Sequence, residues 1–440
     1  MRLSDYNKPL SGMLAAQVGL KTTQQNLTNI HTPGYVRQAV NYGSVGANNG
    51  NTPEQRIGYG VQVMDVERIT DEIKTKQYNE QLSQLSYYGY MDDALSRIES
   101  IIGTTGPNSL SSLMDGFFNA FREVAKNPEQ ANYYDTLIAA TGKFTNQLNR
   151  IGRDLEEAEM QVSADIQGHV DEFNRLAESL AKANENIREA GLKVPNQLLD
   201  ERDRIITEMS QYANIEVSYE SGNPNIASVR ISGVLAVSGQ DTYPLQLQKE
   251  KEPISVQISG TDIPLKSGKI LSAIDMKVKI TGNKEKDVKG YKDSLNELMS
   301  AIKDQVNGVM KKDFFVGDIA KNIRLNPELA NDVSKMKIST ETAKELAGIS
   351  DKEYTKGLSY KQALDKFLVG IASDKSAASA YKEIHTNLFT DTEQEKMGME
   401  GVNMEEEMVN LMAFQKYFVA NSKAISTMNE VFDSLFSIIR

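Results

Sequence analysis

The stretch FTNQLNRIGRDLEEAEMQVSADIQGHVDEFNRLAESLAKANENI, from Phe144 to Ile187, carries the strongest structural signal in this 440-residue chain. Its apolar residues return in steps of three and four: Phe144, Leu148, Ile151, Leu155, Ala158, Val162, Ile166, Val170, Phe173, Leu176, Leu180, Ala183 and Ile187. That spacing draws a single stripe on one face of a helix. No proline occurs between Glu129 and Val194, and an interior proline costs about 3 kcal/mol. A helix from Gln130 to Glu189 would be ~90 Å long at 1.5 Å per residue. Gly142, Gly152 and Gly168 are the points at which it can break, so the spacing alone leaves its continuity open.

Outward from this rod, shorter helical patterns cover Asp71 to Ile102, Ser109 to Lys126 and Asn196 to Ala213. From Ile215 to Ile280 apolar and polar residues alternate between Gly and Pro punctuation, in IEVSYESGN, ASVRISGVLAVSG, YPLQLQ, ISVQISG and ILSAIDMKVKI. Alternation with closely spaced turn signals predicts a small antiparallel β domain. It is inserted, because helical periodicity resumes near Tyr291, followed by the loop-rich DFFVGDIAKNIRLNPELAND and further helices from Thr340. The fold class expected is mainly α with an inserted β domain, in an elongated multi-domain protein. The expected boundaries are 1–40 with 398–440 for a terminal coiled-coil domain, 41–213 with 286–397 for a long-helix bundle, and 214–285 for the insert.

The two ends share a second period. Met404, Leu411, Phe418, Ile425, Phe432 and Ile439 fall seven apart, and Phe414, Met428 and Leu435 take positions three residues on, where Glu407 and Asn421 fill the remaining two. This is a coiled-coil seam. At the other end Tyr6, Met13, Leu20 and Leu27 also step by seven, beside Leu10, Ala16 and Ile30. The short N-terminal helix needs a partner, and the C-terminal one is the other strong heptad. Formal charges agree weakly: Arg2, Lys8 and Lys21 face Asp5 in residues 1–30, whereas five acids outnumber three bases in 402–440. Exposed pairs of this kind are weak and screened by salt. Apolar burial on one side alone leaves such ends poorly ordered until neighbours cover the other side.

The N-terminal helix stops at NLTNIHTPGYVRQ, Asn26 to Gln38. Thr32-Pro33-Gly34-Tyr35 suits a type II turn, Pro fixing φ and Gly accepting a positive φ. A helix stop before a loop accounts for the turn. The amides of Gln24, Gln25, Asn26 and Asn29 lower helix propensity, which makes sense if they bond to neighbouring chains.

Chemistry-bearing constellations are absent from the sequence. The net charge of −11 without a basic block argues against nucleic acid. Zero cysteines exclude disulfides, thiolate metal sites and thiol catalysis. No apolar run reaches the ~18 residues of a membrane span, and no secretory signal is read at the N-terminus. His31, His169 and His385 lack ligand spacing with other donors. Met404 to Met408, MEEEM, reads as acids at a helix start capped by Asn403. GTTGPNS, Gly103 to Ser109, lacks the lysine a phosphate loop requires. No nucleophile, base and oxyanion set assembles, so neither an enzyme nor a cofactor is expected.

Two motifs resemble a known family. NLTNIHTPGY is similar to the N-terminal signature of flagellar rod, hook and hook-associated proteins, with His31 where that signature usually has Asn. GVNMEEEMVNLMAFQKYFVANSKAISTMNEVFDSLF, Gly401 to Phe436, resembles the C-terminus of the family's hook-associated members, and DFF...IAKNIRLNPELA resembles their loop-rich section. The resemblance implies a structural adaptor joining hook to filament, exported unfolded without a cleaved signal to the extracellular flagellum. It implies copies of this chain in a ring at the hook tip, between the hook protein and the second junction protein. An export chaperone would bind the C-terminal helix first. The subunit contacts implied are Leu10, Met13, Leu20, Asn26, Leu27, Asn29, Thr32, Pro33, Gly34 and Tyr35 at one end. At the other, shared with the chaperone, are Met404, Leu411, Phe414, Phe418, Ile425, Met428, Phe432, Leu435 and Ile439. Hook and distal rod proteins are the nearer alternative, but their middles are mostly β. A surface-adhesion role for the β insert is the alternative of a different class.

Overall fold

The structure is a computed structural model that describes residues 3–46, 58–103, 106–191, 193–283, 286–355 and 357–439. It opens with α1 (Leu3–Thr28), a hairpin of β1 (Gln38–Val45) and β2 (Gly60–Arg68), then α2 (Glu72–Ile102) and α3 (Leu110–Lys126). The rod α4 (Ala131–Ala190) and α5 (Asn196–Ser210) lead into seven short strands: β3 (Ile215–Glu220), β4 (Asn223–Ile231), β5 (Val234–Ser238), β6 (Asp241–Thr242), β7 (Leu245–Gln248), β8 (Ser255–Ile258) and β9 (Thr261–Asp262). Helices α6 (Lys269–Thr281) and α7 (Tyr291–Met310) follow, then hairpin β10 (Phe315–Val316) and β11 (Arg324–Leu325), α8 (Pro327–Asn331) and α9 (Thr340–Ala347). Hairpin β12 (Glu353–Thr355) and β13 (Leu358–Ser359) precede the long α10 (Tyr360–Glu400) and α11 (Met404–Ile439).

The rod is one unbroken helix of 60 residues. Every residue of the apolar stripe is buried except Ala158, which is half-buried. The glycines do not break it. Gly142 and Gly168 face open space, and at Gly152 an added Cβ would lie 2.7 Å from the Lys321 backbone nitrogen. That glycine lets the loop between β10 and β11 lie directly against the rod. Side-chain caps fix the flanking helices: Asp71 accepts from the Ile73 and Lys74 amides of α2, and Ser359 with Gln362 forms a capping box on α10. At the rod's N-terminal half Phe117, Phe121, Phe144, Phe314 and Phe315 bury together, with Phe117 and Phe144 stacked at 5.6 Å between ring centres. The DFF segment of the loop-rich region thus plugs the core between α3 and α4.

The insert pairs as two antiparallel sheets, ordered β3-β4-β5-β6 and β7-β8-β9. One expectation fails here. ILSAIDMKVKI, Ile270 to Ile280, alternates like a strand but forms α6. As a helix it buries Ile270, Ala273, Ile274 and Ile280, and the Ser272 hydroxyl donates to the Tyr87 carbonyl of α2 at 2.7 Å. Both periods are present in this short run, and packing against α4 and α2 selects the helical one. The hairpin β1–β2 was not anticipated, although VQVMDV alternates; its register runs from Gln38 opposite Arg68 to Val45 opposite Gly60. Residues between the hairpin and α10 are mostly helical.

One device recurs. The Asn174 amide of the rod donates to the Leu245 carbonyl at 3.0 Å and accepts from the Leu245 N–H at 2.8 Å. Asn184, fully buried, does the same to Ala227 at 2.8 and 3.1 Å and also donates to the Gly239 carbonyl. Asn307 of α7 pairs with Phe315 likewise, at 2.9 Å both ways. A primary amide has the donor–acceptor pattern of a peptide group, so each asparagine completes a backbone that a helix cannot otherwise reach. Two of them fasten the two sheets of the insert to one rod.

Candidate assembly site at the joined termini

Helices α1 and α11 run antiparallel in contact, with Gly12 opposite Asn421 and Gly19 opposite Phe414. A Cβ on Gly12 would lie 2.7 Å from Asn421 Oδ1, and one on Gly19 2.7 Å from the Phe414 ring and from the Tyr42 hydroxyl. The buried residues of α1 are therefore mostly small: Pro9, Ala15, Ala16, Gly19, Thr22, Thr23 and Asn26, on a helix packed against α11 and the β1–β2 hairpin. This corrects the heptad reading of α1. Leu10, Met13, Leu20 and Leu27 are only half-buried, because the bulky Phe414 takes small residues opposite it. On α11, Leu411, Phe414, Phe418, Ile425, Met428 and Phe432 are half-buried, and Met404 and Leu435 are exposed. The side chain of Ile439 lies outside the described residues. Asn421, one of the two polar seam positions, meets a glycine, and Glu407, the other, meets a cation.

That cation is Arg37. Its Nε donates to Glu407 Oε1 at 2.8 Å and its Nη1 lies 3.1 Å from Glu406 Oε2. The Glu407 side chain is 3% exposed, so this carboxylate depends on its partner. Asn403 caps the helix as expected, accepting from the Glu405 and Glu406 amides at 2.9 and 3.3 Å.

The turn after α1 is held from inside the chain. The Tyr35 amide donates to the Thr32 carbonyl at 3.2 Å across Pro33 and Gly34, and Gly34 has φ +78°. This is the type II geometry that needs glycine. The Asn26 amide donates to the Gln38 carbonyl at 2.9 Å, and its Oδ1 accepts from the Gln38 N–H at 3.0 Å and the Tyr35 hydroxyl at 2.8 Å. Asn29 donates to the Gln25 carbonyl and accepts from the Thr32 hydroxyl. The amides of Asn26 and Asn29 thus have bonding partners within their own chain. Burial pushes the Tyr35 phenol up to about 12, helped by the charges of Asp200 and Glu407. Thr32, Pro33, Gly34 and His31 are exposed at the tip.

What α1 leaves uncovered is extensive. Met404, Met408, Val409, Met412, Tyr417, Val419, Val431 and Leu435 of α11 and Leu14 of α1 are all exposed large apolar side chains. Large apolar side chains left exposed in this number make α11 a candidate interaction surface. Arg37, Gly12 and Gly19 were missed in the sequence, since their partners lie hundreds of residues away. His169 and His385 take packing roles: His169 meets Tyr90 edge-on at 5.4 Å and His385 stacks on Tyr88 at 4.9 Å, and burial holds both below the usual imidazole range. Among the described residues no three His, Cys, Asp or Glu side chains group to hold a metal, and no helix is long and apolar enough to cross a membrane.

The fold is that of an elongated, mainly helical protein whose two terminal helices pair with each other beside a long helical body. Residues 95–323 match the family described as the flagellar hook-associated protein FlgK helical domain, and residues 393–438 match the flagellar basal body rod FlgEFG protein C-terminal region. The first match spans more than half of the chain, and the chain belongs to that hook-associated family, structural components of the flagellum at the hook–filament junction. Flagellar hook-associated protein 1 of Escherichia coli K12 is 24% identical over 98% of this chain and 99% of that protein. The Bacillus subtilis 168 protein of the same name is 26% identical over 96% of each. The solved flagellar hook junction protein FlgK from Burkholderia pseudomallei overlays with a TM-score of 0.46 at 21% identity, over 53% of this chain and 43% of that one.

Proposed function

We propose that this chain is the adaptor between hook and filament, with copies packing through the free face of α11 into a ring at the hook tip. The hook protein lies on one side of the ring and the second junction protein on the other. Subunit contacts centre on the half-buried and exposed residues of α1 and α11 named above, with the turn at Thr32 to Tyr35 setting the angle at which the chain leaves α1. The same C-terminal helix serves an export chaperone before assembly, and the assembled protein is extracellular. No catalytic step belongs to this reading. The observation that carries it is the set of large apolar side chains exposed on α11, on either side of the face that its partner helix covers. Burying a side chain of this size stabilises by about 1.5–3 kcal/mol, and sister helices supply that burial.

The test is complementation. Cells lacking the gene should carry bare hooks and shed filament subunits into the medium. Wild-type chain should restore filaments, and Met412→Glu with Val419→Glu should not, although both positions are 51% and 63% exposed and tolerate charge in the free subunit. Normal filaments with the double variant would overturn the role of this face.

A further inference from the structure

The chain has no cysteine and no tryptophan, so its seventeen methionines hold its only sulfur and are its most readily oxidised side chains. Burial divides them. Met114, Met209, Met276 and Met336 are wholly enclosed in the core. Met397, Met399, Met404, Met408 and Met412 crowd around the joint between α10 and α11, each about half exposed or more. Within that group Met404, Met408 and Met412 step by four, which places them in one row on α11. They are 51%, 53% and 51% exposed. Helix α1 approaches α11 closely at Phe414 and Asn421. At about 100° per residue, Phe414 lies roughly 200° around the helix from Met412, so the row turns away from α1 along its length. A thioether on a solvated helix face is open to a peroxide, and one in the core is not.

We propose that Met404, Met408 and Met412 form a reversible oxidation site through which hydrogen peroxide disables the free subunit for assembly. The inference rests on the reading that copies pack through α11. The sulfur lone pair attacks one peroxide oxygen, and an S–O bond forms as the O–O bond breaks. Sulfur loses two electrons, and the other oxygen leaves as water with both protons of the peroxide. The product is a sulfoxide, a polar and chiral group in place of a flexible apolar one.

In the free subunit the sulfoxides stay in water, and the α1–α11 pair is undisturbed. Under a sister helix each must shed that water, and a sulfoxide with no donor facing it weakens packing about tenfold. Once packed, the same sulfurs are covered and resist the reagent. Methionine sulfoxide reductases, one for each epimer, return the thioether at the expense of a thiol, so the block is reversible.

The full chain is treated with hydrogen peroxide, freed of it, and followed in two ways. Peptide mass spectrometry should find sulfoxide at Met404, Met408 and Met412 at least about tenfold sooner than at Met114, Met209, Met276 and Met336; equal rates overturn the site. Cosedimentation with bare hooks from cells lacking the gene should weaken about tenfold or more for the oxidised chain. It should return after both reductases with dithiothreitol, while helix circular dichroism stays constant; lost dichroism alongside lost binding would make the lesion one of unfolding and overturn the proposal. A chain carrying Met64→Leu, Met160→Leu, Met397→Leu and Met399→Leu keeps the row but removes the other exposed methionines among the described residues, and should lose hook binding on oxidation as the wild type does. Oxidised wild-type chain that binds as well as untreated chain, or a fourfold variant that resists, overturns the inference. Untreated chain that ignores the hooks instead removes the packing reading, and the inference falls with it.

Discussion

Replacing Asn26 by alanine removes three hydrogen bonds at one stroke: those to the Gln38 carbonyl, the Gln38 amide and the Tyr35 hydroxyl. Asn26 is 1% exposed, whereas Gln38 and Tyr35 are half-buried. Water can therefore replace part of what is lost, and the ordinary net value of about 0.5–1.5 kcal/mol per bond applies rather than the full desolvation penalty. The three sum to about 1.5–4.5 kcal/mol. Alanine returns about 0.5 kcal/mol through better helix propensity near the end of α1. The expected net loss is about 1–4 kcal/mol, confined to the turn and the start of β1. Since 1.4 kcal/mol is a factor of ten, amides from Gly34 to Val40 should exchange on the order of ten to several hundred times faster. Amides of the rod α4, which shares no bond with Asn26, should keep their wild-type rates. Wild-type protection at Gly34 to Val40 in Asn26→Ala would refute the claim that this side chain holds the turn.

Arg37→Ala strips the partner from a Glu407 carboxylate whose side chain is 3% exposed. Removing one member of a buried pair costs about 3–5 kcal/mol, and less here because Arg37 itself is 22% exposed; urea unfolding followed by helix circular dichroism should show the α1–α11 pair melting early, and an unchanged profile would refute it. Asn184→Leu leaves the Ala227 amide and carbonyl and the Gly239 carbonyl without their buried partner. At about 1–3 kcal/mol for each group so orphaned, the thermal midpoint should fall by several degrees and proteolysis should nick the β insert first.

The rod was readable because one helix face carries its whole message, and burial follows the Phe144-to-Ile187 stripe almost residue for residue. The starts of α2 and α3 were equally plain, since Asp71 and Ser109 are caps acting on their own helices. Local signals failed where two periods coincided. Ile270, Ile274, Met276 and Ile280 fit a strand and a helix alike, and only the surfaces of α2 and α4 break the tie. At the termini the heptads announced that α11 needs covering but misplaced the buried face of α1. What decides that face is the fit of Gly12 and Gly19 to Asn421 and Phe414, some four hundred residues away. A comparable distance hid the partner of Glu407, whereas the partners of Asn26 lie in the turn just after its helix and no periodicity marks them. Spacing within a segment says nothing about a match made between segments.

The unbroken 60-residue rod also acts as a lever. Its C-terminal end lies five residues before α5, which carries Asp200 and Asp203. From Phe144 to Ala190 the helix spans ~70 Å, so a tilt of about 10° where Arg68 of β2 meets Asp200 and Asp203 would swing the aromatic plug by roughly 12 Å. Subunits standing side by side around a cylinder would collide or gape at that radius unless each held the same angle to within a few degrees. In such a ring, uniformity at the outer radius would rest on a handful of charged atoms around Arg68.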